Sequence, residues 1–396
     1  MRTTRSTATT AMTLALALTL TSCTLTGDDE DPTTPAPAPT SDEGGGSDDD
    51  AAGTDEAPDG TGVTSEAPAA GGDGADRGRV TLITHSSFNV PEELVEAFET
   101  DSGYELQVQQ SDDAGALTNQ LVLTKGSPVA DAVFGIDNTF ASRAINEDVL
   151  AAYTPSDLPE SAEEHALPEG GDQFLTAVDY GDVCVNIDHV WFANQGIVPP
   201  ATLQDLTKPE YEDLFVTPGA STSSPGLAFL LATVGEFGPG EWQGYWEDLM
   251  ANGAKVTSGW TDAYTVDFTA GGGDGDRPIV LSYASSPPFT IPKGGWEPTT
   301  SALLDTCFRQ VEYAGVLEGA ANPEGAQAVV DWLLSPEVQA SIPDNMYMYP
   351  VDDEVQLPEI WAQWAQVAEN PIVVHPGQIE AERETWLREW ADIATG

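Results

Sequence analysis

With 396 residues, the chain has room for two domains or for one large bilobal one. Its 66 Asp and Glu against 13 Lys and Arg leave a formal net charge of −53. That sign excludes a nucleic-acid partner, because phosphate neutralisation needs the opposite charge. Only four Lys occur, at 125, 208, 255 and 293, so the folded part is expected to be acidic as well. Adaptation to high salt and an acidic lineage bias both account for such a surface.

In chain order, Arg2 and Arg5 precede an apolar run from Met12 to Leu20 that is too short to span a bilayer, which predicts a signal peptide over 1–22. Leu20-Thr21-Ser22-Cys23 resembles the lipobox of bacterial lipoproteins; the resemblance implies cleavage before Cys23 and a lipid on its sulfur. The alternative is an ordinary secretory signal with an incidental cysteine. Residues 24–78 hold Asp, Glu, Gly, Pro, Ser, Thr and Ala with almost no large apolar side chain. Such a segment cannot offset the entropy of ordering itself, so 23–78 is expected to be a lipidated Cys on a disordered acidic tether.

The folded part is expected from Arg79. A strand over 80–84 ends in His85-Ser86-Ser87-Phe88-Asn89, and Pro91-Glu92-Glu93 opens a helix that Gly103 stops. A strand over 104–109, a helix over 116–124 and a strand over 130–135 follow. This alternation predicts an α/β fold with mainly parallel sheets flanked by helices. Ligands in such sheets gather beyond the carboxyl ends of the strands, where the loops at His85, Ser111 and Asp137 lie. The run 174–188 reads as a crossover strand interrupted by Asp179-Tyr180-Gly181, which predicts a first lobe over 79–180 and a second over 181–304. There, Ser224 suits an N-cap and Pro225 the first position of a helix over 227–234, whose start beside Ser223 and Ser224 suits a polar group. Residues 310–316 read as a strand returning to the first lobe, so 305–396 is assigned to that return and to C-terminal helices. An amphipathic helix over 323–334, a helical continuation over 337–342 and an irregular loop over 343–351 are expected. Ile379, Arg383, Trp386, Leu387 and Trp390 recur at helical spacing, as core residues do. Cys184 and Cys307 lie in strand-like runs and are either a disulfide or two buried thiols.

The stretch from Ser258 to Pro287 is the richest in binding chemistry. Trp260, Asp262 and Tyr264 alternate, so an extended backbone would place all three on one face. After a glycine-rich turn, a strand over 278–281 ends in Ser282-Tyr283-Ala284-Ser285-Ser286. Aromatic walls, a carboxylate and hydroxyl donors suit a small, flat, polar molecule or a cation. The four His, at 85, 165, 189 and 375, have no metal-ligand spacing, and no G-x-S-x-G, Walker loop or dinucleotide fingerprint occurs. An exported enzyme is therefore the lesser expectation, and a binding protein without metal or cofactor the greater.

Eight motifs in order carry a resemblance over the whole region from Val80 onward. They are T-H-S-S-F near 84, G-I-D-N at 135–138, D-Y-G at 179–181, S-T-S-S-P-G-L at 221–227, G-W-T-D-A-Y at 259–264, L-S-Y-A-S-S-P at 281–287, M-Y-P-V at 348–351 and the E-R-E-T-W-L-R-E-W ending. The chain resembles the thiamine-binding substrate-binding proteins of ABC importers, with the bilobal type II periplasmic-binding-protein fold. The resemblance implies a monomer outside the membrane that captures thiamine, thiamine monophosphate or thiamine diphosphate in an interlobe cleft and delivers it to a permease. It implies ligand contacts at Asp113 and Ala114, at Ser223 and Ser224, at Trp260, and at Tyr283, Ala284, Ser285 and Ser286. Tyr264 and Tyr347 stand where the family places further aromatic residues. His85 stands where relatives often have Tyr, and Ala114 replaces a Gly. Asp113 or Asp137 would attract the thiazolium charge. A ferric-iron or polyamine carrier of the same fold is the alternative, although no adjacent tyrosines are present to supply clustered phenolates.

Overall fold

A computed structural model describes residues 77–395. The signal peptide, Cys23 and nearly all of the tether lie outside the described residues. The described residues belong to one unit by their internal contacts.

The first half alternates as its sequence suggests: β1 (Arg79–Thr84), α1 (Glu92–Ser102), β2 (Glu105–Gln110), α2 (Ala114–Leu123), β3 (Ala132–Asp137), α3 (Ala141–Asn146) and a short β4 (Leu150–Ala151). Gly103 ends α1 in the left-handed conformation at φ 75°, which glycine adopts without a Cβ penalty. The chain then crosses on β5 (Thr176–Asp188) to α4 (His189–Gln195), β6 (Phe215–Pro218), α5 (Ser224–Phe237), α6 (Trp242–Ala251), β7 (Lys255–Thr257), β8 (Ile279–Tyr283) and β9 (Thr300–Ala302). It returns on β10 (Phe308–Leu317) and finishes with α7 (Pro323–Leu333), α8 (Pro336–Asn345), β11 (Tyr349–Pro350), α9 (Glu359–Trp364) and α10 (Pro376–Thr395).

The main strand order is β2-β1-β3-β10-β5-β8-β6-β7. Each end is parallel: β1 pairs with β2 and β3, and β6 with β7 and β8. Between them β10 and β5 run antiparallel to their neighbours and to each other, joining the two parallel parts into one hydrogen-bonded sheet. One strand serves both halves: β5 pairs with β10 over 176–183 and with β8 over 183–187. Cys184 and Cys307 are bonded to each other at 2.00 Å beside the Val183–Phe308 pair, where the two crossing strands lie side by side.

The buried core follows the expected periodicities. All six residues of β3 are buried, as in a strand covered on both faces. Ile379, Arg383, Trp386 and Trp390 line the buried face of α10. Trp390 meets Trp246 of α6 edge-on at 5.7 Å, while the Arg383 guanidinium lies 5.5 Å from the Phe140 ring centroid. The last helix therefore touches both halves.

Three expectations are corrected. Residues 262–267 wind into a π-helical turn instead of extending, because their backbone closes on itself through bonds such as Phe268 N–H to Ala263 O at 3.0 Å. The segment 343–351 is not one irregular loop: α8 continues through Pro343 to Asn345, and β11 pairs with β5. Ser223, not Ser224, is the N-cap residue of α5, and Ser224 is already helical.

Candidate functional site

The ends of β1 and β8, the starts of α2 and α5, and the loop after α8 converge on a cavity of about 240 Å³. His85, Ser86, Ser87, Asp113 and Ala114 line it from the first half, and Ser224, Trp260, Tyr283 and Ser286 from the second. The returning chain adds Glu312, Met346, Tyr347 and Met348.

The π-helical turn decides the aromatic wall. Residues four apart on a helical backbone share a face, so Tyr264 stacks behind Trp260 with ring centroids 5.0 Å apart and planes at 16°. Tyr264 in turn packs on Phe268 at 5.5 Å. Trp260 Nε1–H donates to Ser282 Oγ at 3.0 Å, and Tyr283 approaches edge-on at 6.5 Å. Burial raises the Tyr264 phenol to about 12, so it stays neutral as a backing ring. Asp262, expected on the same face, points outward: it is exposed and accepts the Ser258 hydroxyl at 2.6 Å.

Asp113 ties the two halves together. As N-cap of α2 its Oδ1 accepts Ala114 N–H at 2.7 Å and Ser224 N–H at 3.2 Å, while Oδ2 accepts Trp260 N–H at 3.1 Å. Burial lifts its pKa against the pull of those donors and of His85. A second tie runs from the Ser285 hydroxyl to Tyr347 O at 2.5 Å. Tyr347 holds φ at 61°, an uncommon conformation for a large side chain, with its ring 4.0 Å from that of Phe289. Asp137 stays beneath the wall: its oxygens accept Thr139 N–H and Oγ1–H, each at 2.6 Å, Phe140 N–H at 3.2 Å, and the Ser224 hydroxyl.

Of the residues expected to touch a ligand, Asp113, Ala114, Ser224, Trp260, Tyr283, Ser286 and Tyr347 share the cavity. Tyr264 stands behind Trp260, and Ser285 spends its hydroxyl on the Tyr347 carbonyl. Ser223 is fully buried off the lining; its hydroxyl makes no well-formed hydrogen bond but favours the charged form of Asp113. Ala284 faces away, in an apolar cluster with Cys184, Cys307 and Ala368, its N–H donating to Asp182 O at 2.8 Å. The strand alternation that turns Tyr283 toward the cavity turns its neighbour outward.

Two ionisable lining residues, His85 and Glu312, lie outside the expected set. His85 Nε2 faces Glu312 Oε2 at 3.4 Å, and both side chains are almost fully buried. Burial pulls the imidazole pKa down, but Glu312, then Asp113 and Asp137, outweigh it and leave the value raised. Glu312 carried a signal in the sequence: a carboxylate between Val311 and Tyr313 in a run, Val311–Leu317, that is otherwise without charge. Among the described residues no group of His, Cys, Asp and Glu is arranged to hold a metal ion, and no helix is long and apolar enough to cross a membrane.

Residues 127–285 match the family described as bacterial extracellular solute-binding protein. The thiamine-binding periplasmic protein of Salmonella typhimurium is 30% identical over 318 residues, which cover 78% of this chain and 92% of the relative. Its Escherichia coli counterpart is 29% identical over the same span and coverage. Among solved structures, a periplasmic thiamin binding protein superposes with a TM-score of 0.69 at 26% identity, covering 80% of this chain and 96% of its own. These relatives are periplasmic proteins that bind thiamine. The chain belongs to the bacterial extracellular solute-binding proteins, alongside the thiamine-binding periplasmic proteins.

Proposed function

We propose that the chain captures thiamine or its phosphates in this cavity, outside the cytoplasmic membrane, and delivers the ligand to an ABC transporter permease. The observation that supports it best is the Trp260 indole, held flat by Tyr264 and bordered by Tyr283, over a cavity lined by the carboxylates of Asp113 and Glu312. A thiazolium cation over such a face gains about 0.5–2 kcal/mol, more where water is excluded. A phosphate of the longer ligands would have to displace Asp113 from the Ser224 N–H at the start of α5. β5 and β10 are the two strands on which the halves would hinge around the ligand. In the same reading Cys23 carries the lipid, 23–78 is the tether, the lobes are 79–180 and 181–304, and 305–396 completes the first lobe and the C-terminal helices. The protein works as a monomer.

Calorimetric titration with thiamine, thiamine monophosphate and thiamine diphosphate tests the reading. One site per chain with saturable heat supports it. Heat with ferric ion or spermidine and none with any thiamine form would replace it by the iron or polyamine alternative.

A further inference from the structure

Three carboxylates stand in a row across the middle of the sheet. Glu312 of β10 is the ladder partner of Asp137 of β3 on one side and of Asp179 of β5 on the other. Asp137 and Asp179 are 0% exposed and Glu312 5%. Like charges directly opposite destabilise a sheet, and burial makes each uncompensated charge costlier. The chain relieves two of the three. Asp137 is surrounded by donors, although burial still raises its pKa to about 7. Among the described residues no N–H or hydroxyl donates to Asp179; burial and then the charge of Glu312 push its pKa well up, which favours its neutral form beside Glu312.

Glu312 keeps its charge. Burial opposes ionisation, but His85, Asp179 and Gln310 together hold its pKa below the ordinary range. Gln310 Nε2 donates to its Oε1 at 3.0 Å. The register of β10 shifts beside it, between Glu312 and Tyr313 against β5, and such a bulge re-aims a side chain. Glu312 thereby lines the cavity, which no described Lys or Arg lines and where His85 is the single group able to become positive. His85 Nδ1 accepts Ser87 N–H at 3.1 Å, which places the neutral ring's proton on Nε2, toward Glu312. Asp113, the other carboxylate on the lining, already serves three backbone N–H groups.

We propose that Glu312 is the counter-ion for the positive charge of the bound ligand, and that His85 is the positioning residue that orients it. The proposal rests on the cation reading of the cavity and names the group that selects the charge. Asp113, Asp137 and Glu312 all face His85, and Glu312 also faces Asp179 and Tyr283. Protonation of His85 in acid covers the Glu312 charge, so affinity for a cation rises as pH rises and the imidazole loses its proton.

Calorimetry on the full chain with thiamine and with its uncharged thiophene analogue tests this. Glu312→Gln should weaken thiamine at least tenfold and the analogue less than threefold. Wild-type affinity for thiamine should climb between about pH 6 and 8, the span of an imidazole, and His85→Gln should flatten that profile. Equal losses for the two ligands, or none, would overturn the role of Glu312 while thiamine binding stands. A flat wild-type profile, which needs no variant to fold, would overturn that of His85. A wild-type chain that binds neither ligand sinks the thiamine reading, and this proposal with it.

Discussion

Trp260 and Tyr283 reach the cavity from a turn and a strand end in one half of the molecule; Glu312 reaches it from the middle of β10, the strand on which the chain returns to the other half. The aromatic pair gains from being there, since stacking and burial stabilise rings wherever they pack. The carboxylate row costs, since like charges directly opposite in a buried sheet repel unless one of them is neutral. An arrangement that is favourable in itself says little about a ligand. One that is unfavourable until a cation arrives says what sign the ligand carries.

The largest effect is expected where the crossing strands are pinned. The Cys184–Cys307 bond closes a separation of 123 residues between β5 and β10. The paired Cys184→Ser, Cys307→Ser variant should lose about 2–4 kcal/mol of stability; denaturant melts measure it, and an unchanged midpoint would show the crossing strands need no covalent tie. Next comes the aromatic wall: Trp260→Ala should weaken thiamine more than tenfold by calorimetry, or at least about 1.4 kcal/mol. Unchanged affinity would remove Trp260 from the site.

The acidic row supplies a pH test with a definite sign. Asp179 has its pKa raised by burial and by Glu312. Its neutral form is therefore favoured in the fold, and the stability it contributes is lost as pH climbs from the ordinary carboxylate range through the raised value. Asp179→Asn stays neutral throughout, so its melting temperature relative to wild type should improve from pH 5 to pH 8. A constant difference would mean that Asp179 does not titrate with the fold. The smallest effect belongs to Tyr264: because it backs Trp260 without lining the cavity, Tyr264→Phe should change affinity less than threefold. A larger loss would place its hydroxyl on the ligand.

The two regions also differ in how far they were legible beforehand. Hydroxyls and rings clustered over 258–287 announce a pocket, and Ser224, Trp260, Tyr283 and Ser286 do meet there. Local geometry was the weak point. Alternation of Trp260, Asp262 and Tyr264 suggests a strand, but the turn hydrogen bonds won, turning Asp262 outward and stacking the two rings instead. Ala284 and Ser285 follow Tyr283 in the chain yet stay off the lining, Ala284 in an apolar cluster and Ser285 on the Tyr347 carbonyl, because loop membership does not fix side-chain direction. The floor was harder to see. Asp137, Asp179 and Glu312 lie far apart in the chain and become neighbours only through the order β3-β10-β5, which no local pattern encodes.

A crystal structure of the protein grown with thiamine would test the central claim most directly. The account predicts the vitamin between the two halves, one ring against Trp260 and the thiazolium nearest Glu312. Density for the ligand elsewhere on the surface, with the indole still covered only by Tyr264 and nothing between the halves, would contradict it.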